Sequence, residues 1–182
     1  MRISTKFTYE DLEAIPPDRN RYEIVDGELI VTPAPIPLHQ RILGNLFGLI
    51  WTHVRQHRLG EVYQAPLDIV FSPGTVLEPD LIFIRQSRLH IIGEKHLTGP
   101  PDLVVEVLSE STARLDRDVK PKQYALYGVP EFWLIDPNGK TVEIFRLLEG
   151  AYELAARLSY KDTLESPLFP GLRLPVSSLW ES

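Results

Sequence analysis

Two carboxylates stand where an acid is expensive. Glu106 is embedded in Val104-Val105-Glu106-Val107-Leu108, an apolar run that reads as a strand buried on both faces. An ionised side chain there is unfavourable unless it is paired or bound to a metal. Asp80 follows Pro79 and opens the apolar run Leu81-Ile82-Phe83-Ile84. Two acids at the mouths of adjacent strands suggest a hard cation held by oxygen ligands. A third acid, Asp102, follows Pro101, and there a structural cap is the better reading. His53 and His57 are spaced i, i+4, as a metal pair can be. They also fall at a helix end, where polar or cationic residues suit the macrodipole, and that explanation is preferred.

The chain has 182 residues with a formal net charge of −6, which argues against a protein that coats nucleic acid electrostatically. It is compatible with a metal-dependent nuclease, whose site concentrates carboxylates. With no cysteine, disulfide scaffolds, thiolate nucleophiles and Cys-ligated metal centres are excluded. The sequence contains no Gly-rich phosphate loop, no H-E-x-x-H and no G-x-S-x-G. No apolar run approaches the roughly 20 residues that span a bilayer, and Met1 to Lys6 lead into Glu10 and Asp11 without a signal-peptide core. A cytoplasmic location is the expectation.

These acids need elements to position them. The hydrophobic fraction of 43% and the lack of repeats or long linkers suggest one domain within residues 1–182, running from about residue 5 to the end. Thr8 before Glu10-Asp11 predicts a short capped helix that Pro16-Pro17 stops. Arg21–Val25 and Glu28–Val31 flank Asp26-Gly27, a hairpin signal. Ile42, Leu43, Leu46, Phe47, Leu49, Ile50 and Val54 recur at helical spacing within His39–His57. Strands are expected over Glu61–Phe71, Pro79–Ile84 and Pro101–Leu108, joined by a polar segment Arg85–Thr98. Ser111 to Gly128 reads as a helix, Glu131–Asp136 and Thr141–Leu147 as a hairpin, Tyr152–Leu158 as a strand. The remaining tail reads as irregular with a short terminal turn. The expected class is α+β, a central mixed sheet flanked by the long helix and the later helix, with an N-terminal β-hairpin.

With those residues in place, the sequence resembles the Uma2-like (DUF820) restriction endonuclease family of the PD-(D/E)XK nuclease superfamily. The resembling stretches are Tyr22 to Leu29, His39 with its helix, Glu78-Pro79-Asp80-Leu81 and Pro101 to Ser109. Asp116, Lys120, Tyr124 and Gly128 to Asp136 continue the match in order. The resemblance implies a restriction-endonuclease-like core and an Mg²⁺-dependent endonuclease, with Mn²⁺ as a substitute, acting on nucleic acid, DNA in particular. Asp80 and Glu106 would hold the metal. A lysine, usually two residues after the second acid, would orient water or stabilise charge. Leu108 occupies that position and cannot do this. Lys120 is the matching lysine on the following helix.

Glu23 and His39 lie in matching segments, as a further ligand and a phosphate-contacting or acid-orienting group, or as a surface strand residue and a helix-start residue. Tyr124 and Trp133 read as packing residues. Asp116, Lys120 and Tyr124 are spaced i, i+4, i+8, which would set them on one helical face toward the strand bearing Glu106. Pro121 complicates this: it costs about 3 kcal/mol inside a helix, so the regular helix could instead start there, with Lys120 outside it and extended and Lys122 as its competitor. Arg85, Arg88, Lys95 and Arg114 are candidate phosphate contacts or ordinary solvated charges. Cutting both strands of a duplex suggests a homodimer, for which the hairpins and the apolar tail Leu168-Phe169, Leu172, Leu174 and Leu179-Trp180 offer a surface. The other reading is a catalytically degenerate nuclease-fold module that binds nucleic acid or a protein without cutting, as Leu108 and the net acidity suggest.

Overall fold

A computed structural model describes residues 6–181, so Met1 to Thr5 lie outside the described residues. Helix α1 (Tyr9–Glu13) starts where expected, with Asp11 Oδ2 accepting the Thr8 N–H at 2.8 Å. Strands β1 (Arg21–Val25) and β2 (Glu28–Thr32) pair in antiparallel register, Val25 opposite Glu28. Asp26 and Gly27 both take positive φ, 52° and 85°, the geometry of a two-residue I′ hairpin turn.

The main sheet has six strands in the order β10-β9-β8-β7-β6-β3. Its members are β3 (Gly60–Gln64), β6 (Leu81–Arg85), β7 (Leu103–Val107), β8 (Glu131–Asp136), β9 (Thr141–Leu148) and β10 (Ala151–Ser159). It is mixed: β7 runs parallel to β8 and antiparallel to β6. All five residues of β7 are buried. On one face, α2 (Pro37–His57) packs Ile42, Leu43, Leu46, Ile50 and Val54 onto Leu103, Val105 and Val107. Leu49 departs from the expected helix core and is exposed.

The opposite face corrects two expectations. Glu61–Phe71 is not one strand: β3 ends at Gln64, and β4 (Ile69–Ser72) resumes in another sheet. Pro66, which has no N–H for a ladder, sits in the break. With β5 (Thr75–Leu77), β4 joins the N-terminal hairpin in a four-stranded sheet, β2-β1-β5-β4. Val25, Ile69 and Leu77 of that sheet cover Ile82, Ile84, Val104 and Leu134, sharing the face with α3 (Lys120–Leu126). The later helix therefore flanks the sheet together with a second, smaller sheet.

Pro121 does not begin the helix. A π-helical turn, Leu115–Val119, precedes it, and Lys120 is helical at φ −57°, ψ −41°. The wider turn lets a residue without an N–H follow helical backbone, which is why the expected extended Lys120 is not found.

The tail is also used differently. Strands β11 (Thr163–Leu164) and β12 (Leu174–Pro175) pair, and a 3₁₀ turn, Val176–Trp180, follows. Leu168, Phe169, Leu174 and Leu179 are buried in the α2-side core, with Leu172 and Trp180 packed against it. Phe169 sits with its ring centroid 4.8 Å from Phe83 and 6.0 Å from Trp133. The apolar tail is consumed within its own chain and is not free as a dimer surface.

Candidate active site

The pairing of β6 with β7 places Leu81 opposite Val105, which sets Asp80 beside Glu106 at one end of the antiparallel pair. Period-two alternation sends Leu103, Val105 and Val107 to the α2 side. Glu106 shares the other face with Val104 and Leu108, toward Tyr124. Both acids are 1% exposed. They line a cavity of about 390 Å³ together with Arg21, His39, Asp116 and Lys120.

Asp80 is held on both oxygens. Oδ2 accepts the Val107 N–H at 2.7 Å and lies 3.0 Å from His39 Nε2. Oδ1 accepts from Arg21 Nη1 at 3.0 Å. Burial alone would push this carboxyl upward, but His39, Arg21 and the Val107 N–H outweigh it and bring it down to about 2. Asp80 is therefore a permanent anion.

Glu106 has the opposite fate. Its Oε1 accepts from Lys120 Nζ at 3.0 Å and from the Tyr124 hydroxyl at 2.5 Å. Burial, with Asp116, Asp80 and Glu23 nearby, pushes its carboxyl well above the ordinary range despite Lys120. Lys120 is 1% exposed, with Nζ 2.9 Å from Glu23 Oε1 and 3.4 Å from Asp116 Oδ1. Burial would discharge it, but three surrounding carboxylates hold it firmly charged.

The structure thus brings Asp80, Glu106, Lys120, Glu23 and His39 into one cluster. Glu23 also ion-pairs with Lys120 and braces the link between β5 and β6, accepting the Glu78 N–H at 2.9 Å. Three participants were given no role at the site by the sequence. Arg21 stood there only as the first residue of a strand. Asp116, spaced four from Lys120, was placed on the same inward face but left without a function. Tyr124, read as packing, is fully buried and also donates to Glu106.

Other candidates fall elsewhere. Lys122 is exposed, on a surface groove with Leu126 and Tyr152. Arg85 and Arg88 pair with Asp102 at the far end of β6 from Asp80, and Lys95 pairs with Glu13. As phosphate contacts for this cavity they are misplaced, because an antiparallel strand carries its two ends to opposite edges. Asp102 also accepts the Arg85 N–H at 2.9 Å, the cap role expected of it. Arg114 is exposed just before the π-helical turn. Leu108 closes β7 as a buried apolar residue. Trp133 packs in the core and donates to Glu131 at 2.7 Å. His57 caps its own helix through the His53 carbonyl, at 3.0 Å.

Can these residues hold a divalent cation? Among the described residues, no three Asp, Glu, His or Cys side chains stand as a ready-made cage. A small, hydrated cation needs only one or two carboxylates besides substrate oxygens and water, and Asp80 with Glu106 supplies those. Among the described residues, four buried acids, Asp80, Glu106, Glu23 and Asp116, pair with two permanent cations, Arg21 and Lys120, so acids outnumber cations here. Glu23 Oε2 and Asp116 Oδ1 are buried without a hydrogen-bond partner. The donor set and the surplus of acids both fit a hard divalent ion.

Comparisons with known proteins agree with this frame. The solved structure of a putative nuclease belonging to DUF820 from Anabaena variabilis ATCC 29413 superposes with a TM-score of 0.78 at 21% identity, covering 96% of this chain and 97% of that one. No curated protein matches. The model of the Uma2 family, described as putative restriction endonuclease, matches residues 8–177, nearly the whole described chain. The chain belongs to the Uma2 family and has its restriction-endonuclease-like fold.

Proposed function

We propose that this protein is an Mg²⁺-dependent endonuclease that hydrolyses phosphodiester bonds of DNA. The observation that carries this reading is the convergence of Asp80, Glu106 and Lys120 on one cavity in a chain of this family. Asp80 and Glu106 would hold the cation, which when bound polarises the phosphate and makes its bound water more acidic. His39 and the Val107 N–H fix the orientation of the Asp80 carboxylate through Oδ2. Lys120 supplies the fixed positive charge facing the reacting group, and Glu23 and Asp116 hold its ammonium in place. Tyr124 orients Glu106 through its hydroxyl.

The test is incubation of purified protein with plasmid, linear duplex and single-stranded DNA plus Mg²⁺ or Mn²⁺. Cleavage that EDTA stops and that Asp80→Asn lowers by at least about 100-fold is expected. Cleavage that survives either change would contradict the reading. We also propose a two-fold dimer, since two sites are needed to cut both strands. Light scattering at tens of micromolar checks it, and a strict monomer excludes it.

One observation favours the non-cutting module: Lys120 and Arg21 already satisfy oxygens that a cation would use. Binding of DNA without cleavage in either metal would select that alternative.

A further inference from the structure

Arg21 joins two cavities. It lines the one that holds Asp80 and Glu106, and with Ala34 and Pro35 it also borders a second groove of about 490 Å³ that contains Glu78. Its guanidinium is pinned at both ends of its fork. Nε meets Glu78 Oε1 at 2.7 Å, and Nη1 meets Asp80 Oδ1 at 3.0 Å. Its side chain is 17% exposed, against 1% for Lys120, so it is the more accessible of the two permanent cations on the cavity wall.

The oxygen it holds matters. Asp80 Oδ2 already faces two donors, His39 Nε2 and the Val107 N–H, which use its lone pairs. Room for a further ligand on Asp80 is at Oδ1, where the guanidinium sits. A divalent cation there would stand against a like charge, and in a poorly screened pocket that repulsion is strong. The cation-free protein therefore carries its own substitute counter-ion.

We propose that Arg21 neutralises Asp80 until a divalent cation displaces it, and then swings on its Glu78 tether to grip the phosphate of the nucleic acid entering between the two cavities. The inference rests on the metal-dependent reading above. Arg21 would thus oppose cation binding in the free protein and favour substrate binding in the loaded one. The planar fork is suited to a bidentate phosphate contact, and Glu78 keeps it within reach. Cation and nucleic acid would be coupled positively and reciprocally, because each relieves what the other must displace.

The experiment compares the full chain with Arg21→Met, which keeps the apolar stem, and with Arg21→Lys, which keeps the charge but not the fork. Mg²⁺ is titrated by calorimetry without DNA, and binding of a short fluorescent duplex is followed by anisotropy in Ca²⁺. Thermal unfolding of each variant checks that it folds. The expected result for Arg21→Met is Mg²⁺ binding at least about fivefold tighter and duplex binding at least about tenfold weaker, with Arg21→Lys intermediate. Weaker Mg²⁺ binding in Arg21→Met would make Arg21 a mere positioner of Asp80 and overturn the inference. Unchanged Mg²⁺ affinity against a binding wild type overturns it too, while leaving the metal reading intact. Absence of Mg²⁺ binding in every protein overturns the metal reading and the inference with it.

Discussion

Lys120 Nζ lies 3.0 Å from Glu106 Oε1, and a π-helical turn rather than a regular helix start delivers it there. Two residues after Glu106, where the resemblance implied a lysine, stands Leu108. The ammonium comes instead from a separate element, where the π-helical turn meets α3. Lys120 and Asp116 point inward together, while Lys122 faces solvent.

Lys120→Met should lower cleavage by at least about 100-fold, the scale of one lost electrostatic stabiliser. Lys122→Ala should leave the rate near wild type. Rates of plasmid nicking for the two variants check this. Removing the lysine also strands Glu23, Glu106 and Asp116 in a buried site, so Lys120→Met should unfold at lower temperature below saturating Mg²⁺, and added Mg²⁺ should recover part of the loss.

Asp68 gives a pH prediction away from the cavity. Burial, then the Glu23 charge, raises its carboxyl to about 6, above the unfolded value of about 3.9. The folded state therefore favours the protonated form. Its favourable contribution is complete at low pH and fades between about pH 4 and 6, leaving a fixed cost above that range. Asp68→Asn should raise stability by about 1–2 kcal/mol at pH 8 and by nothing measurable at pH 4. Thermal melts at the two pH values decide it, and equal shifts at both would contradict the assignment.

Phe169 tests the corrected role of the tail. Packed against Phe83 and Trp133 at 1% exposure, it should cost about 3–5 kcal/mol when replaced by alanine. Urea unfolding measures this. A change below about 1 kcal/mol would return the tail to the surface, where such truncations are nearly neutral.

The parts of this architecture that were legible in the sequence share a physical reason. Asp80 and Glu106 stand out because a charge in an apolar strand needs a partner, and Asp26-Gly27 because few residue pairs tolerate two positive φ angles. Strand β5 has only three residues, too few for a period to show, so the second sheet was invisible. Buried tail residues such as Leu164, Leu168, Phe169 and Leu174 follow no helix or strand period, and only their tertiary neighbours reveal that they are core. Arg21 carries no local signal, since its partner Asp80 is 59 residues away. Lys120 was marked out by family likeness, and residue patterns alone would have favoured a solvated lysine.

Whether Asp80 and Glu106 together hold a divalent cation is decided by a crystal soaked with Mn²⁺. The expected result is an anomalous peak coordinated by both carboxylates, with Arg21 drawn off Asp80 Oδ1. A clean map at saturating Mn²⁺, with Arg21 and Lys120 still seated on these acids, would contradict it.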